Sequence, residues 1–200
     1  MLDKSIPFFQ IIMRRKYGGP DIIPSLPEGY SIRGYKKGDE IAWAEIEASV
    51  LEFENVEQAL ECHKGYDSRS DELPLRQWFV IGSDGIAVAT ATAWYIIQDG
   101  IRIPVVHALG CRPEYQGKGL GMAVAAKMLE SFYRLEPNRD IWLDTQTWSY
   151  KAIGIYMKLG FIPMKTDTYQ GINNDYYDAL PVLKQKMRPE EYKKFVIFSR

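Results

Sequence analysis

Apolar residues recur along this chain with two periods, about 3.6 and 2, and the period changes at glycines, prolines and Asx residues. Tyr30 to Arg33 reads as a first strand. After Asp39, a plausible N-cap, Trp43, Ile46, Val50 and Phe53 fall at i, i+3, i+7 and i+10 and predict a helix, with Glu45, Glu47 and Glu52 off its apolar face. Glu54-Asn55 breaks it, and a second helix is expected from about Val56 to His63. Trp78 to Ile81, the turn Ser83-Asp84-Gly85 and Ile86 to Tyr95 read as a β-hairpin. Asp99-Gly100 turns the chain into a third strand, the apolar run Ile103 to Cys111.

Helical spacing resumes with Gly121, Ala125, Met128, Leu129 and Phe132 on one face and Lys127, Glu130 and Arg134 on the other, until Pro137-Asn138. Ile141 to Leu143 is a short strand. Ser149 would cap a helix that buries Ala152, Ile153, Tyr156 and Leu159 and stops at Gly160. Phe161 to Met164 and about Tyr176 to Leu183 are expected as the last strands, with Pro181 arguing against the second. Gly18-Gly19-Pro20 and Pro24 with Pro27 read as turns. Antiparallel segments followed by two βα units imply an α+β (α/β) domain, a mixed sheet with helices on its faces.

Two hundred residues suffice for one domain with a real core, and 46% hydrophobic with 26% charged residues are globular values. A net charge of −1 gives no electrostatic reason to expect nucleic acid or an anionic membrane as partner. Cys62 and Cys111 lack CxxC spacing, and no histidines cluster with them, so neither zinc nor a disulfide framework is suggested. The apolar start, Ile6 to Met13, is too short to span a bilayer and carries its charges, Arg14-Arg15-Lys16, on the wrong side for a signal peptide. A cytoplasmic protein is expected.

The most informative residues are Gln116-Gly117-Lys118-Gly119-Leu120-Gly121, set between the third strand and a helix. Such a turn offers unpaired backbone N–H groups at the positive end of a helix dipole, a site for phosphate. The GxxxxGK[ST] spacing is absent, and Met122 stands where a dinucleotide fingerprint needs its third glycine. The remaining pattern, Gln116-x-x-Gly119-x-Gly121 after Pro113-Glu114-Tyr115, resembles the acyl-CoA signature of the GNAT superfamily of N-acetyltransferases. Downstream, Ser149-Tyr150-Lys151-Ala152-Ile153-Gly154-Ile155-Tyr156-Met157-Lys158-Leu159-Gly160-Phe161 resembles that superfamily's NxxAxxLYxKxGF helix, with Ser149 in place of the usual Asn.

The resemblance covers roughly residues 28–185. It implies a GNAT domain over 28–187 with a mostly antiparallel twisted sheet, an N-terminal extension over 1–27 and a tail over 188–200. It further implies acetyl-CoA as co-substrate, a primary amine as acceptor and no metal. By resemblance, the backbone from Gly117 to Gly121 would hold the CoA pyrophosphate, Gln116 and Ser149 would add polar contacts, and Leu109, Gly110 and Cys111 would meet the pantetheine arm and thioester carbonyl. Lys118 would add charge or stand solvated; Leu120 belongs to the same loop.

Tyr156 would protonate the leaving thiolate, the alternative being a core aromatic on a helix face. His107 would remove the acceptor's proton, the alternative being a half-buried histidine bonded to a carbonyl; His63 reads as a surface residue. A nucleophilic role for Cys111 has no partner motif behind it, and a small buried hydrophobe is the simpler reading. Glu52, Glu54 and Asp175 would attract a cationic amine beside Trp94 or Trp148, or be ordinary turn and core residues. Ile6-Pro7-Phe8-Phe9 would cover a pocket, add a strand or form a homodimer contact. A non-catalytic CoA sensor and an acyltransferase for a longer acyl chain remain open alternatives.

Overall fold

A computed structural model describes residues 1–18 and 25–200, so the turn expected at Gly19, Pro20 and Pro24 lies outside the described residues. The strands are β1 (Gln10–Arg15), β2 (Ser31–Gly34), β3 (Gln77–Ile81), β4 (Ala87–Gln98), β5 (Ile101–Cys111), β6 (Ile141–Gln146) and β7 (Ile162–Pro163). The helices are α1 (Asp39–Ser49), α2 (Val56–His63), α3 (Leu73–Arg76), α4 (Leu120–Leu135), α5 (Tyr150–Lys158), α6 (Tyr176–Lys186) and α7 (Pro189–Phe198), with a 3₁₀ segment at Lys64–Glu72.

The strands form a mixed, mostly antiparallel sheet in the order β2-β3-β4-β5-β6-β1-β7. β5 meets β6 in parallel at Val105↔Trp142, and β1, from the segment assigned to the N-terminal extension, pairs antiparallel with both β6 and β7. Asp99 and Gly100, with φ of 51° and 76°, make the tight β4–β5 connection, the double positive φ that favours an Asp-Gly pair.

The chain divides into two compact units, and β4 and β5 run through both. The described part of the first holds residues 25–94 and 107–136 together with Met1. Its core packs Trp43, Ala44 and Ile46 of α1 and Ala59 of α2 against Phe79 and Ala87 of the sheet. Trp78 Nε1 donates to Ser131 Oγ at 2.8 Å, and that hydroxyl donates to Leu75 O at 2.7 Å, tying β3, α4 and α3 together. The second unit holds residues 2–18, 95–106 and 137–200. Ile12, Val105, Met164 and Tyr169 form a core there. Tyr169 Oη donates to Asp144 Oδ1 at 2.6 Å, and the fully buried Arg15 donates to Leu159 O at 2.6 Å.

Five expectations change. The segment Tyr176 to Leu183 is the helix α6, not a strand: its buried residues, Tyr176, Ala179 and Leu183, recur at helical spacing, and Pro181 faces solvent. Asp39 begins α1 instead of preceding it; Gly38, with φ 103°, holds the cap position, and Asp39 pairs through both oxygens with Arg33 (2.5 and 2.9 Å). Glu47 is buried at 2% exposure, and His63 at 4%. The sequence puts Glu47 off the apolar face of its helix and reads His63 as a surface residue. Ser149 does stand at the start of α5, but its side chain makes no cap hydrogen bond.

Candidate active site

Most of the residues singled out in the sequence lie in the first unit, on β5, the loop after it and the start of α4. β5 carries Ala108 with φ 53°, a left-handed residue inside a strand, which breaks the alternation of the ladder just before Leu109, Gly110 and Cys111. A non-glycine residue there costs roughly 1–3 kcal/mol and survives only where surrounding structure imposes it. Gly110 is required by close packing: a Cβ on it would stand 2.6 Å from Glu47 Oε1 and 2.8 Å from Ile46 Cγ2.

Past the strand, Gln116 Nε2 donates back to Cys111 O at 2.9 Å, pinning the loop to the end of β5. Gly117 and Gly119 have φ of 79° and 82°, and nothing lies within 4 Å of where their Cβ atoms would be. Gly119 occupies the N-cap position of α4 without a side-chain cap, and Ala123 N, bonded to Gly119 O, is the first intrahelical donor. Leu120, Gly121 and Met122 therefore present N–H groups that the helix itself leaves unbonded, with the dipole of 16 residues behind them. Lys118 Nζ lies 3.5 Å from Tyr30 Oη and 5.0 Å from the Tyr115 ring centre, at the loop rim. Backbone N–H groups line the start of α4, with the Lys118 ammonium at the rim.

Cys111 is not a poised nucleophile. Burial pushes its thiol up to about 11, so at neutral pH it is protonated.

Behind β5 lies a group of aromatic rings. Tyr66, from the 3₁₀ segment, packs edge-on against Trp94 (4.7 Å between ring centres), His63 (4.9 Å) and His107 (5.5 Å). Trp43 meets His63 at 5.0 Å and Tyr66 at 6.3 Å. The Tyr66 hydroxyl is hydrogen-bonded to His107 Nδ1, so this strand histidine is held by a phenol and not by a carbonyl at that nitrogen. Glu47 belongs to the same region. Its Oε1 is buried without a hydrogen-bond partner, and burial, reinforced by the charge of Glu52, raises its carboxyl to about 8. Sequence reading missed Glu47 and Tyr66; the one trace of Glu47 is the obligatory glycine opposite it.

The second unit holds the other expected residues. Tyr156 is buried on α5 at 7% exposure, its ring 6.0 Å from Phe161, and Ser149 sits just before that helix. Asp175 accepts from Gln10 N at 2.9 Å, a structural bond at the start of α6. Trp148 packs edge-on against Phe8 at 5.0 Å and donates to Ile6 O at 2.7 Å, so the N-terminal residues cover it. Glu54 accepts from Gln58 Nε2 at 3.2 Å in the first unit. Among the described residues no group of His, Cys, Asp and Glu is arranged to hold a metal, and no helix is long and apolar enough to cross a membrane.

The chain is similar to proteins of one family. Residues 41–161 match the acetyltransferase (GNAT) family. The chain is 30% identical over 163 residues to a mycothiol acetyltransferase of Streptomyces coelicolor, covering 78% of this chain and 50% of that one, and 30% identical over 159 residues to that of Salinispora tropica (74% and 50%). It thus spans about half the length of these curated relatives. Among solved structures, a GCN5-related N-acetyltransferase from Sphaerobacter thermophilus superposes with TM-score 0.61 at 21% identity over 79% of this chain and 49% of that one. Arabidopsis thaliana Naa50 in complex with the bisubstrate analogue CoA-Ac-MVNAL gives 0.51 at 18% identity (66% and 82%). At these identities the likeness establishes the fold.

Proposed function

The chain belongs to the acetyltransferase (GNAT) family, and from that membership we propose that it transfers an acetyl group from acetyl-CoA to a primary amine of a small molecule or peptide, by direct attack in a ternary complex. The N-terminus of α4 is the observation that carries this reading. Two glycines with positive φ and open space on their Cβ side leave a row of N–H groups that fits a pyrophosphate. Gln116 to Gly121 would hold that group, and Leu109 to Cys111, following the left-handed Ala108, would offer backbone to the pantetheine arm and thioester. Ser149 is retained as a polar contact to the cofactor on motif position alone.

Direct attack is favoured over a covalent acyl-enzyme because the Cys111 thiol is held protonated by burial. In the proposed reaction the amine nitrogen forms the C–N bond, the C–S bond breaks, and Tyr156 protonates the departing thiolate. The phenol recovers its proton from the nitrogen by way of solvent, and one proton leaves for each ammonium consumed. His107 is proposed as the imidazole at the reacting centre. A cytoplasmic setting, with both cysteines free, belongs to the same proposal.

The test is an acceptor screen that follows CoA release from acetyl-CoA across polyamines, amino acids, aminoglycosides and peptide N-termini. Amine-dependent release supports the reading; tight CoA binding without release from any amine would sink it. In Tyr156→Phe, turnover with a responsive amine should fall by about 10²-fold or more while acetyl-CoA affinity is kept. Equal turnover in the variant would remove Tyr156 from the mechanism.

A further inference from the structure

Of the three β5 residues proposed to meet the thioester, Gly110 alone brings no side chain of its own, and alternation turns those of Leu109 and Cys111 to the other face. The flank that Gly110 leaves bare is closed by α1 instead. A Cβ on Gly110 would stand 2.6 Å from Glu47 Oε1, 2.8 Å from Ile46 Cγ2 and 3.3 Å from Glu47 Cδ, so these two side chains reach the strand backbone itself. Both are buried, Ile46 completely and Glu47 nearly so.

The same flank is polar where it meets β4. Arg112 N donates to Val88 O at 2.9 Å, and counting two residues along each antiparallel strand sets Thr90 opposite Gly110. Thr90 is also the cross-strand partner of Phe79, which packs with Trp43 and Ile46 in the core beneath α1, so Thr90 faces that helix. Glu47 Oε1 and Thr90 Oγ1 are both buried without a hydrogen-bond partner. The floor against Gly110 is thus a methyl group of Ile46 beside polar atoms that an alkyl chain cannot satisfy.

We infer that Ile46 and Glu47 set the acyl-chain limit of this site: the flank at Gly110 has no depth for acyl carbons beyond the acetyl methyl. A longer chain would have to push α1 off β5 or drive a packed side chain from its rotamer. The carbons that entered would meet little apolar surface beyond Ile46 in return. The two residues act on specificity and take no part in the chemical step. The inference rests on the acetyltransferase reading and deepens it, deciding against a longer acyl chain.

Equilibrium titration of the full chain with acetyl-, propionyl- and butyryl-CoA tests this. The wild type should lose about tenfold or more in affinity for each added methylene. Glu47→Ala should shrink the acetyl-to-butyryl ratio by at least about tenfold. Because the ratio is taken within one protein, a general loss of stability cannot mimic that change. Glu47→Gln, of equal length, should keep the wild-type order. Should the cavity in Glu47→Ala prevent folding, Ile46→Ala opens the same flank and should shrink the ratio likewise. Equal affinities in the wild type, an unchanged ratio in a folded alanine variant, or relief by Glu47→Gln as large as by Glu47→Ala overturns the inference. With a responsive amine, kcat/KM should fall in the same order, and a flat series would count against it equally. If no amine releases CoA, the acetyltransferase reading fails while the three affinities still decide the chain limit.

Discussion

Two carboxylates are buried in the same unit, and they are treated in opposite ways. Glu136, at 4% exposure, ends α4 with both oxygens on the Arg76 guanidinium (2.7 and 3.2 Å). Arg76 itself is completed by Glu72 at 2.7 Å and Ala93 O at 3.1 Å. Burial works against its charge, yet the bonds to Glu136 and Glu72 outweigh it and the guanidinium is held more firmly protonated than usual. Glu47, at 2% exposure, has an oxygen with no partner, and burial drives its carboxyl toward neutrality. Charge inside this unit is thus kept where a fork of donors meets it and suppressed where none does. The suppressed carboxyl lies against Gly110 on β5, beside the left-handed Ala108.

Breaking the paired site should have the largest effect. Arg76→Met leaves Glu136 buried and uncompensated, and should lower unfolding free energy by about 3–5 kcal/mol in denaturant titrations. A loss under about 1 kcal/mol would mean that the pair is no more than a surface ion pair.

Glu47→Gln should act with the opposite sign, and its effect should depend on pH. The folded carboxyl sits at about 8, above its ordinary 4.5, so its favourable contribution is complete below about 4.5 and is lost as pH rises toward 8. Relative to Glu47→Gln, the wild type should lose stability across that window, by at most roughly 1.4 kcal/mol for each pH unit. Parallel curves for the two proteins from pH 5 to 8 would show that Glu47 ionises normally. Gly110→Ala should follow, costing roughly 1–3 kcal/mol because the new methyl meets Glu47 and Ile46. Combining it with Glu47→Ala should recover part of that loss, and strict additivity would deny the contact.

How far the sequence foretold this fold depends on what kind of signal each element carries. α2 lies where the sequence expects it, after the break at Glu54-Asn55, since such a break is a local signal; Asn55 Oδ1 caps the helix by accepting from Gln58 N at 2.9 Å. The glycine loop was legible for the same reason. Residues 64–76 gave no period, because a 3₁₀ segment and a four-residue helix are too short to show one, and Tyr66 was lost with them. Glu47 and His63 were misplaced because hydropathy assigns polar side chains outward, whereas their burial depends on partners far along the chain, Gly110 and Gln77. The contacts of His63 with Gln77 and of Tyr66 with His107 join residues of α2, β3, the 3₁₀ segment and β5, and no local pattern encodes them.

β4 and β5 each pass through both compact units, and the chain changes unit at Trp94–Tyr95 and Val106–His107, inside strands, before leaving the first unit for good at Glu136–Pro137. Neither unit is a contiguous segment that recombination could exchange for another. The unit that holds the glycine loop is interleaved along the chain with the unit that carries α5. A substitution in either unit is made within a framework whose strands belong to both.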